Sequence, residues 1–271
     1  MNIGAIIIGD EILSGKRQDK HLSKIIELLS ARGLELSWAR YLGDDRERLV
    51  ATLKQTFASE DLVFSCGGIG ATPDDHTRQS AAAALGLSLE LHPGAAQLIA
   101  ERTADMAREG RGTSDMSTPE NLLRLKMGEF PKGAELILNP FNKIPGFAIA
   151  NHYFVPGFPV MAWPMIEQTL DQKFAHLFAS GARAEQSFLV YELPESAATP
   201  MMEALEVQFP KIKTFSLPSM GEQAVRRHIE LGVKGPMAEV PTAFAALKAG
   251  IESIIGVHRA EIGQTFELKS L

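Results

Sequence analysis

The sequence predicts an α/β protein in which a mostly parallel sheet is covered by helices on both faces, followed by a small α+β unit. Two features carry the first expectation. Short apolar runs alternate with amphipathic helical stripes in the order β-α-β-α-β-turn-α. The runs are apolar at nearly every position, as strands buried on both faces require. A third feature, the small and polar stretch Ala179–Gln186, separates the two parts.

Ile3–Ile8 is the first such run, and it ends in a loop at Gly9, Asp10 and Glu11. A helix follows, with Leu22, Ile25, Ile26 and Leu29 on one face, and Gly33 stands where a left-handed cap belongs. Leu34–Leu42 is a second strand. Asp44 or Asp45 caps a second helix with the stripe Leu49, Val50, Leu53 and Phe57. Leu62, Val63 and Phe64 form a third strand that runs into Cys66-Gly67-Gly68-Ile69-Gly70. Thr77–Leu85 is then helical and Gly86 stops it. Residues 93–127 are helical with a break near Gly110–Thr118, and Thr118-Pro119-Glu120 is a helix start with proline in the first position. Glu135–Leu138, Phe147–Ile149 and His152–Val155 are short strands, the first two joined by the loop Asn139–Gly146. Pro156-Gly157-Phe158-Pro159 leads into a helix bearing Met165, Ile166, Leu170 and Phe174. In the second part Ser187–Tyr191 is a strand, Thr199-Pro200 opens a helix, Lys211–Leu217 and Val225–Val233 are strands, and Pro241–Ile255 is the closing helix. Ile229, Leu231 and Val233 alternate with His228 and Glu230, so that strand is half buried.

Composition narrows the function classes. The 271 residues are 45% apolar and 22% charged, close to globular averages, which excludes a disordered chain or a long coiled coil. The net charge of −6 is spread evenly, with no basic tail or stripe to capture nucleic acid or anionic lipid. No apolar run approaches about 18 residues, and Asp10 and Glu11 follow the start at once. No membrane span and no secretory leader are therefore expected, and the expected location is the cytoplasm. The single Cys66 allows neither an intrachain disulfide nor a multi-cysteine metal site. Seven histidines lie singly, without the HxH, HExxH or CxxC spacings of zinc sites. No Gly-x-Ser-x-Gly elbow is present.

The stretch with chemistry in it is Gly67-Gly68-Ile69-Gly70-Ala71-Thr72-Pro73-Asp74-Asp75-His76-Thr77. Glycines let the backbone approach a ligand and turn successive amides toward an anion, and the helix start just beyond adds free N–H groups. Two carboxylates there suit a divalent cation bridging to phosphate. An ordinary strand-to-helix turn, with acids favoured by the helix dipole, accounts for the same residues, and spacing alone does not separate the two. Cys66, at the end of a buried strand with no basic neighbour, reads as inert packing, and His76 as a solvated residue at a helix start. Gly232-Val233-Lys234-Gly235 has the spacing of an RNA-clamping Gly-x-x-Gly, which lies between two helices. Here it follows an alternating strand and reads as a strand-end turn.

The glycine stretch resembles the Gly-Gly-x-Gly-x-Thr-x-Asp-Asp-x-Thr signature of MoaB/Mog (molybdopterin-binding) domains. Gly9-Asp10-Glu11-Ile12-Leu13-Ser14-Gly15, Leu42-Gly43-Asp44-Asp45, Pro145-Gly146-Phe147 and Val155-Pro156-Gly157-Phe158-Pro159 resemble the family's other elements in the right order. The first and third of these have the form found in the CinA (competence/damage-inducible protein A) branch, whose KH-like domain the tail is similar to. The resemblance implies a three-layer α/β/α sandwich of MoaB/Mog type over residues 1–178 and a KH-like α+β domain over 184–258. CinA proteins often add a C-terminal deamidase domain, which is not expected in this chain. The resemblance also implies phosphate, pterin or nucleotide contacts at Gly67, Gly68, Gly70 and Thr72, a catalytic role for Asp75 and Asp44, and ligand-facing positions for Asp10 and Glu11. Gly146 belongs to the same expected ligand loop.

Two chemistries are implied, adenylyl transfer to molybdopterin and pyrophosphate hydrolysis of ADP-ribose-like nucleotides, and both need a metal on phosphate. The expected cofactor is a divalent metal, Mg²⁺, Mn²⁺ or Co²⁺, held by Asp74, Asp75 and Asp44, with molybdopterin as a further ligand. The expected partner is a small nucleotide or pterin, and a homodimer or homotrimer is implied. Three departures stand out. Ala71 replaces the usual proline. Asn142-Lys143-Ile144 replaces smaller residues before Pro145 and offers the Lys143 cation to phosphate. Met161-Ala162 stands where the family has Glu-Met, so one expected carboxylate is missing. A metal-dependent nucleotide pyrophosphatase is therefore the first expectation, with a non-catalytic binding module and Mog-like adenylyl transfer as alternatives.

Overall fold

The computed structural model describes residues 2–178, 183–220 and 226–270. The chain falls into two compact units, Met1–Leu29 with Glu35–His176, and Ser30–Leu34 with Leu177–Leu271. The boundary expected over Ala179–Gln186 lies partly outside the described residues.

In the first unit the order is β1 (Ile3–Ile8), α1 (Asp10–Leu13), α2 (His21–Ser30), β2 (Trp38–Leu42), α3 (Arg46–Phe57), β3 (Leu62–Cys66), α4 (Thr77–Leu85), β4 (Leu89–Leu91) and α5 (Pro93–Arg108). Then come α6 (Pro119–Leu125), β5 (Glu129–Pro131), β6 (Glu135–Ile137), β7 (Gly146–Ile149), β8 (His152–Val155) and α7 (Pro159–Lys173). Six strands form one sheet in the order β2-β1-β3-β8-β7-β6. The pairs β1/β2, β1/β3 and β3/β8 are parallel, and β7/β8 and β6/β7 antiparallel, so the sheet is mostly parallel. Alternating side chains divide its two faces. Ile6, Ile8, Val63, Phe147 and Phe154 cluster with Leu49 and Leu53 of α3, Ala81 of α4 and Ala95 of α5. Ala5, Ile7, Phe64 and Tyr153 have the opposite parity and are buried on the other face. That face belongs to α2 and α7, where Lys24 of α2 lies over the Trp163 ring of α7.

Local chemistry sets the boundaries. All six residues of β1 are buried. The Asp45 side chain caps α3 by accepting from Arg48 N at 2.8 Å, Thr118 caps α6, and Gly86 ends α4 at φ 67°. The differences from expectation have physical causes. Asp10–Leu13 is a helical turn rather than a loop. Ile26 is exposed and Leu28 takes the buried place on α2. The second strand begins only at Trp38, since at the sheet edge it pairs with β1 alone. The antiparallel pair β4/β5 is too short to leave a periodic signature.

The second unit contains β9 (Arg183–Tyr191), α8 (Glu195–Gln208), β10 (Lys213–Ser219), β11 (His228–Pro236), α9 (Val240–His258), β12 (Glu261–Thr265) and β13 (Lys269–Ser270). Its sheet runs β10-β11-β9-β12, with β13 also on β9. Helix α8 begins before Thr199, and Pro200 lies inside it, because Ala198 in its first turns belongs to the buried core. Gly232 and Gly235 lie inside β11, paired with Phe215 and Ala184, not in a strand-end turn. The start of the strand expected at Val225 lies outside the described residues. Helix α9 is long and apolar enough by composition to cross a bilayer, reaching that length by including Lys248 and Glu252. Its Val240, Ala243, Phe244, Leu247 and Ile251 are packed into the core of this unit.

One buried group makes the first unit sensitive to acid. His152 is fully buried. Its Nδ1–H donates to Ala150 O at 2.8 Å, since a carbonyl only accepts, and Nε2 accepts from the Thr56 hydroxyl at 2.8 Å. Burial pulls its pKa from 6.5 down to about 4. The unfolded chain takes up this proton at a higher pH than the folded one. The contribution is therefore complete above pH 6.5 and falls away toward pH 4, by about 3 kcal/mol in all. Urea denaturation from pH 7 to pH 4 is expected to show a steeper loss for wild type than for His152→Gln, which cannot titrate. Equal slopes would contradict the assignment.

Candidate functional site

Both polar loops after the first and third strands lie at the carboxyl ends of parallel strands, where open α/β sheets bind ligands. A cleft of about 410 Å³ opens there, lined by Glu11, Asp44, Gly67, Gly68, Gly70, Thr72, Asp74 and Asp75 among others. Gly67 and Gly68 have φ of 111° and 67°, conformations open to glycine, and a Cβ on Gly67 would run into the Ile8 carbonyl.

The start of α4 shapes this turn. The Gly67 carbonyl accepts from Thr77 Oγ1 at 3.1 Å, the Gly68 carbonyl from Thr77 N at 3.0 Å, and the Gly70 carbonyl from Arg78 Nη2 at 2.6 Å. In a trans peptide the following N–H points opposite to the carbonyl. The amides of Gly68, Ile69 and Ala71 are thereby turned away from the helix, toward the cleft these residues line. None of the three has an acceptor among the described residues. Three unpaired donors in a row of four residues form a concave anion site. Arg78 is 3% exposed and also donates to the carbonyls of Lys126 and Glu129. Its guanidinium thus ties the turn to the segment carrying Met127, another residue of the cleft wall. Burial lowers its pKa, and the charges of Glu129 and Asp75 oppose that.

The acids stand along one rim. Gly9 N donates to Leu42 O at 3.0 Å, which brings the ends of β1 and β2 together. Asp10 and Asp44 then brace each other, Asp10 N donating to Asp44 Oδ2 at 2.9 Å and Asp44 N to Asp10 Oδ1 at 3.2 Å. A Cβ at Gly43 would strike the Asp10 carboxylate. Burial pushes the Asp44 carboxyl above its ordinary value, the Asp10 N–H opposes it, and the charges of Asp10, Glu11 and Asp74 add to it. Asp75 Oδ2 accepts from Thr72 N at 2.9 Å and from the Thr72 hydroxyl at 2.5 Å. That hydroxyl and the backbone N–H of Asp74 hold the Asp74 carboxyl below its ordinary value. Asp10, Glu11, Asp44 and Asp74 also border one shallow depression.

Among the described residues no three His, Cys, Asp or Glu side chains converge as a closed metal cage. An all-carboxylate rim beside an anion turn fits a hard divalent cation held by one or two carboxylates and completed by ligand phosphate and water.

Two expected ligand residues stand elsewhere. Lys143, at φ 65°, is turned onto α5, its Nζ 2.9 Å from Asp105 and 3.8 Å from Glu101, and it holds the Asp105 carboxyl below its ordinary value. Gly146 is buried in β7, where a Cβ would meet the Phe154 carbonyl, so it is a packing glycine. Asp10 braces Asp44 from outside the main cleft. His76 is the residue before α4 and makes no capping bond.

Other residues enter the cleft without a sequence signal. Asn139, 4% exposed, donates to Asn142 Oδ1 at 2.8 Å and Ile144 O at 3.0 Å, and this closes the loop whose Asn142, Ile144 and Pro145 line the cleft. Asn142 Nδ2 lies 3.6 Å from Met161 Sδ. Arg17 lines the cleft as well, and its side chain makes no ion pair or hydrogen bond among the described residues.

Residues 4–176 match the family described as "Probable molybdopterin binding domain". A CinA-like protein from an Anaeromyxobacter species is 28% identical over 286 residues, covering 99% of this chain and 67% of that protein. Another, from Citrifermentans bemidjiense, is 32% identical over 226 residues, 78% of this chain and 52% of its own length. This chain thus spans about half to two thirds of these curated relatives. The crystal structure of the protein CinA with unknown function from Thermoplasma acidophilum is similar with a TM-score of 0.53 and 25% identity, over 63% of this chain and 98% of that one.

Proposed function

The chain belongs to the molybdopterin-binding-domain family, and from that premise we propose that its cleft hydrolyses the pyrophosphate link of ADP-ribose-like nucleotides with the help of a divalent metal. The observation that carries this reading is one cleft with two chemically opposite walls. Unpaired amides of Gly68, Ile69 and Ala71 stand on one side, and Glu11, Asp44, Asp74 and Asp75 on the other. The amides bind and orient a diphosphate. Asp44 and Asp74 are the residues to hold a cation against it, and Asp75, fixed by Thr72, accepts a proton from an attacking water. A bound divalent cation supplies charge neutralisation on phosphate. For ADP-ribose, water adds to one phosphorus, the bond to the bridging oxygen breaks, and AMP and ribose 5-phosphate leave.

A second reading, ligand binding without turnover, is favoured by one observation. Met161 occupies the cleft where the resemblance carries a carboxylate, with the Asn142 amide directed at its sulfur. Incubation with ADP-ribose or FAD under Mg²⁺, Mn²⁺ or Co²⁺ separates the two. The expected result is AMP release that chelation of the metal abolishes. Tight binding with no AMP under any of the three metals would establish the binding module instead.

A further inference from the structure

A second cavity of about 310 Å³ lies beside the main cleft and shares Ile8, Glu11, Arg17, Gly157 and Phe158 with it. Its chemistry differs from that of its neighbour. Asp44, Asp74 and Asp75 are absent from its walls, which include Ile7, Ile12, Cys66 and Pro159, with the Phe158 ring at 57% exposure between the two hollows. Its polar members are dominated by cations and neutral groups. The Arg17, Gln18 and Lys20 side chains make no hydrogen bond or ion pair among the described residues, in a chain of net charge −6.

One buried atom in this wall lacks a partner. His21 is 5% exposed, and its Nε2 donates to the Gly157 carbonyl at 3.0 Å. In the neutral ring that leaves Nδ1 as an acceptor, and Nδ1 is buried without a hydrogen bond. A buried acceptor left unsatisfied costs about 1–3 kcal/mol, which a ligand N–H in the cavity recovers.

We infer that this cavity is the base subsite of the proposed ligand, taking a purine or similar flat heteroaromatic ring that carries an N–H donor. The inference rests on the reading of the main cleft as a diphosphate site. The ring seats on the apolar floor against Phe158, and Arg17, common to both hollows, faces the diphosphate that joins them. The sugar-phosphate half occupies the main cleft, where carboxylates and Asn142 accept from hydroxyl groups. A nucleoside diphosphate sugar spans both hollows, whereas inorganic pyrophosphate uses only the glycine turn.

Calorimetry on the full chain with inorganic pyrophosphate, AMP and ADP-ribose tests this. Wild type is expected to bind ADP-ribose and AMP more tightly than pyrophosphate. Ile12→Trp, which fills the cavity, is expected to weaken ADP-ribose and AMP by about tenfold or more and to leave pyrophosphate within about twofold. Gln18→Trp, on the exposed rim, is expected to act the same way without burdening the fold. If both variants bind ADP-ribose as wild type does, or lose pyrophosphate and ADP-ribose in equal measure, the base subsite is wrong and the diphosphate site stands. If wild type binds no pyrophosphate and no ADP-ribose, both readings fall.

Discussion

Asp75→Asn is expected to lower the rate of AMP release from ADP-ribose by about a hundredfold or more while leaving the protein folded. The two effects separate because the carboxylate has two tasks. One oxygen, Oδ2, anchors the turn by accepting from Thr72 N and Oγ1. The amide oxygen of asparagine does the same, so unfolding free energy is expected to change by no more than about 1 kcal/mol. The second task needs negative charge at the cleft, and asparagine places an N–H there. Steady-state rates with matched denaturation curves check this. Wild-type turnover in the variant would remove Asp75 from the chemistry.

Arg78→Met is expected to damage both stability and binding. The side chain is nearly fully buried, and its N–H groups are divided among three carbonyls, those of Gly70, Lys126 and Glu129. Methionine fills similar volume but leaves those acceptors unpaired, at an expected cost of about 3 kcal/mol in unfolding free energy. It also frees the Gly70–Ala71 peptide to rotate, and pyrophosphate affinity is expected to fall by about tenfold. Arg78→Lys keeps the charge but not the fork, so partial recovery of binding is expected with it. Chemical denaturation and calorimetry read the two effects separately. Loss of stability with unchanged affinity would reduce Arg78 to a packing residue.

Legibility in the sequence followed how locally each feature is determined. Ile3–Ile8, Thr77–Leu85 and His152–Val155 have the bounds expected, because an unbroken apolar run or a cap and a stop at the two ends decides them. Strand pairing is a tertiary matter, and so the β4/β5 pair and the strands after α9 left no trace. The glycine turn and its acids share one contiguous stretch and were readable from it. Arg78 was not, since an arginine in a first helical turn reads as solvated until the carbonyls of residues 126 and 129 are placed around it. The Lys143 cation was misdirected by its backbone. At a left-handed φ the chain turns the side chain onto α5, and no feature of Asn142-Lys143-Ile144 announces that conformation. Asn139 and Asn142 act on each other across a loop, which periodicity cannot register.

The amide of Ala71 bears on how such a site changes over time. A proline at this position, the residue the resemblance leads one to expect, has no N–H to offer. The same loop with alanine presents one donor more, already aimed by the Gly70 carbonyl locked beneath it. What reads as a harmless lapse from a motif is then a gain of function in the backbone itself, invisible to any comparison of side chains. It enlarges the anion site on the wall facing the carboxylates, in a cleft that has exchanged one acid for Met161. The two departures shift the balance of charge in the same direction, toward a grip on phosphate that depends more on the main chain and less on the rim.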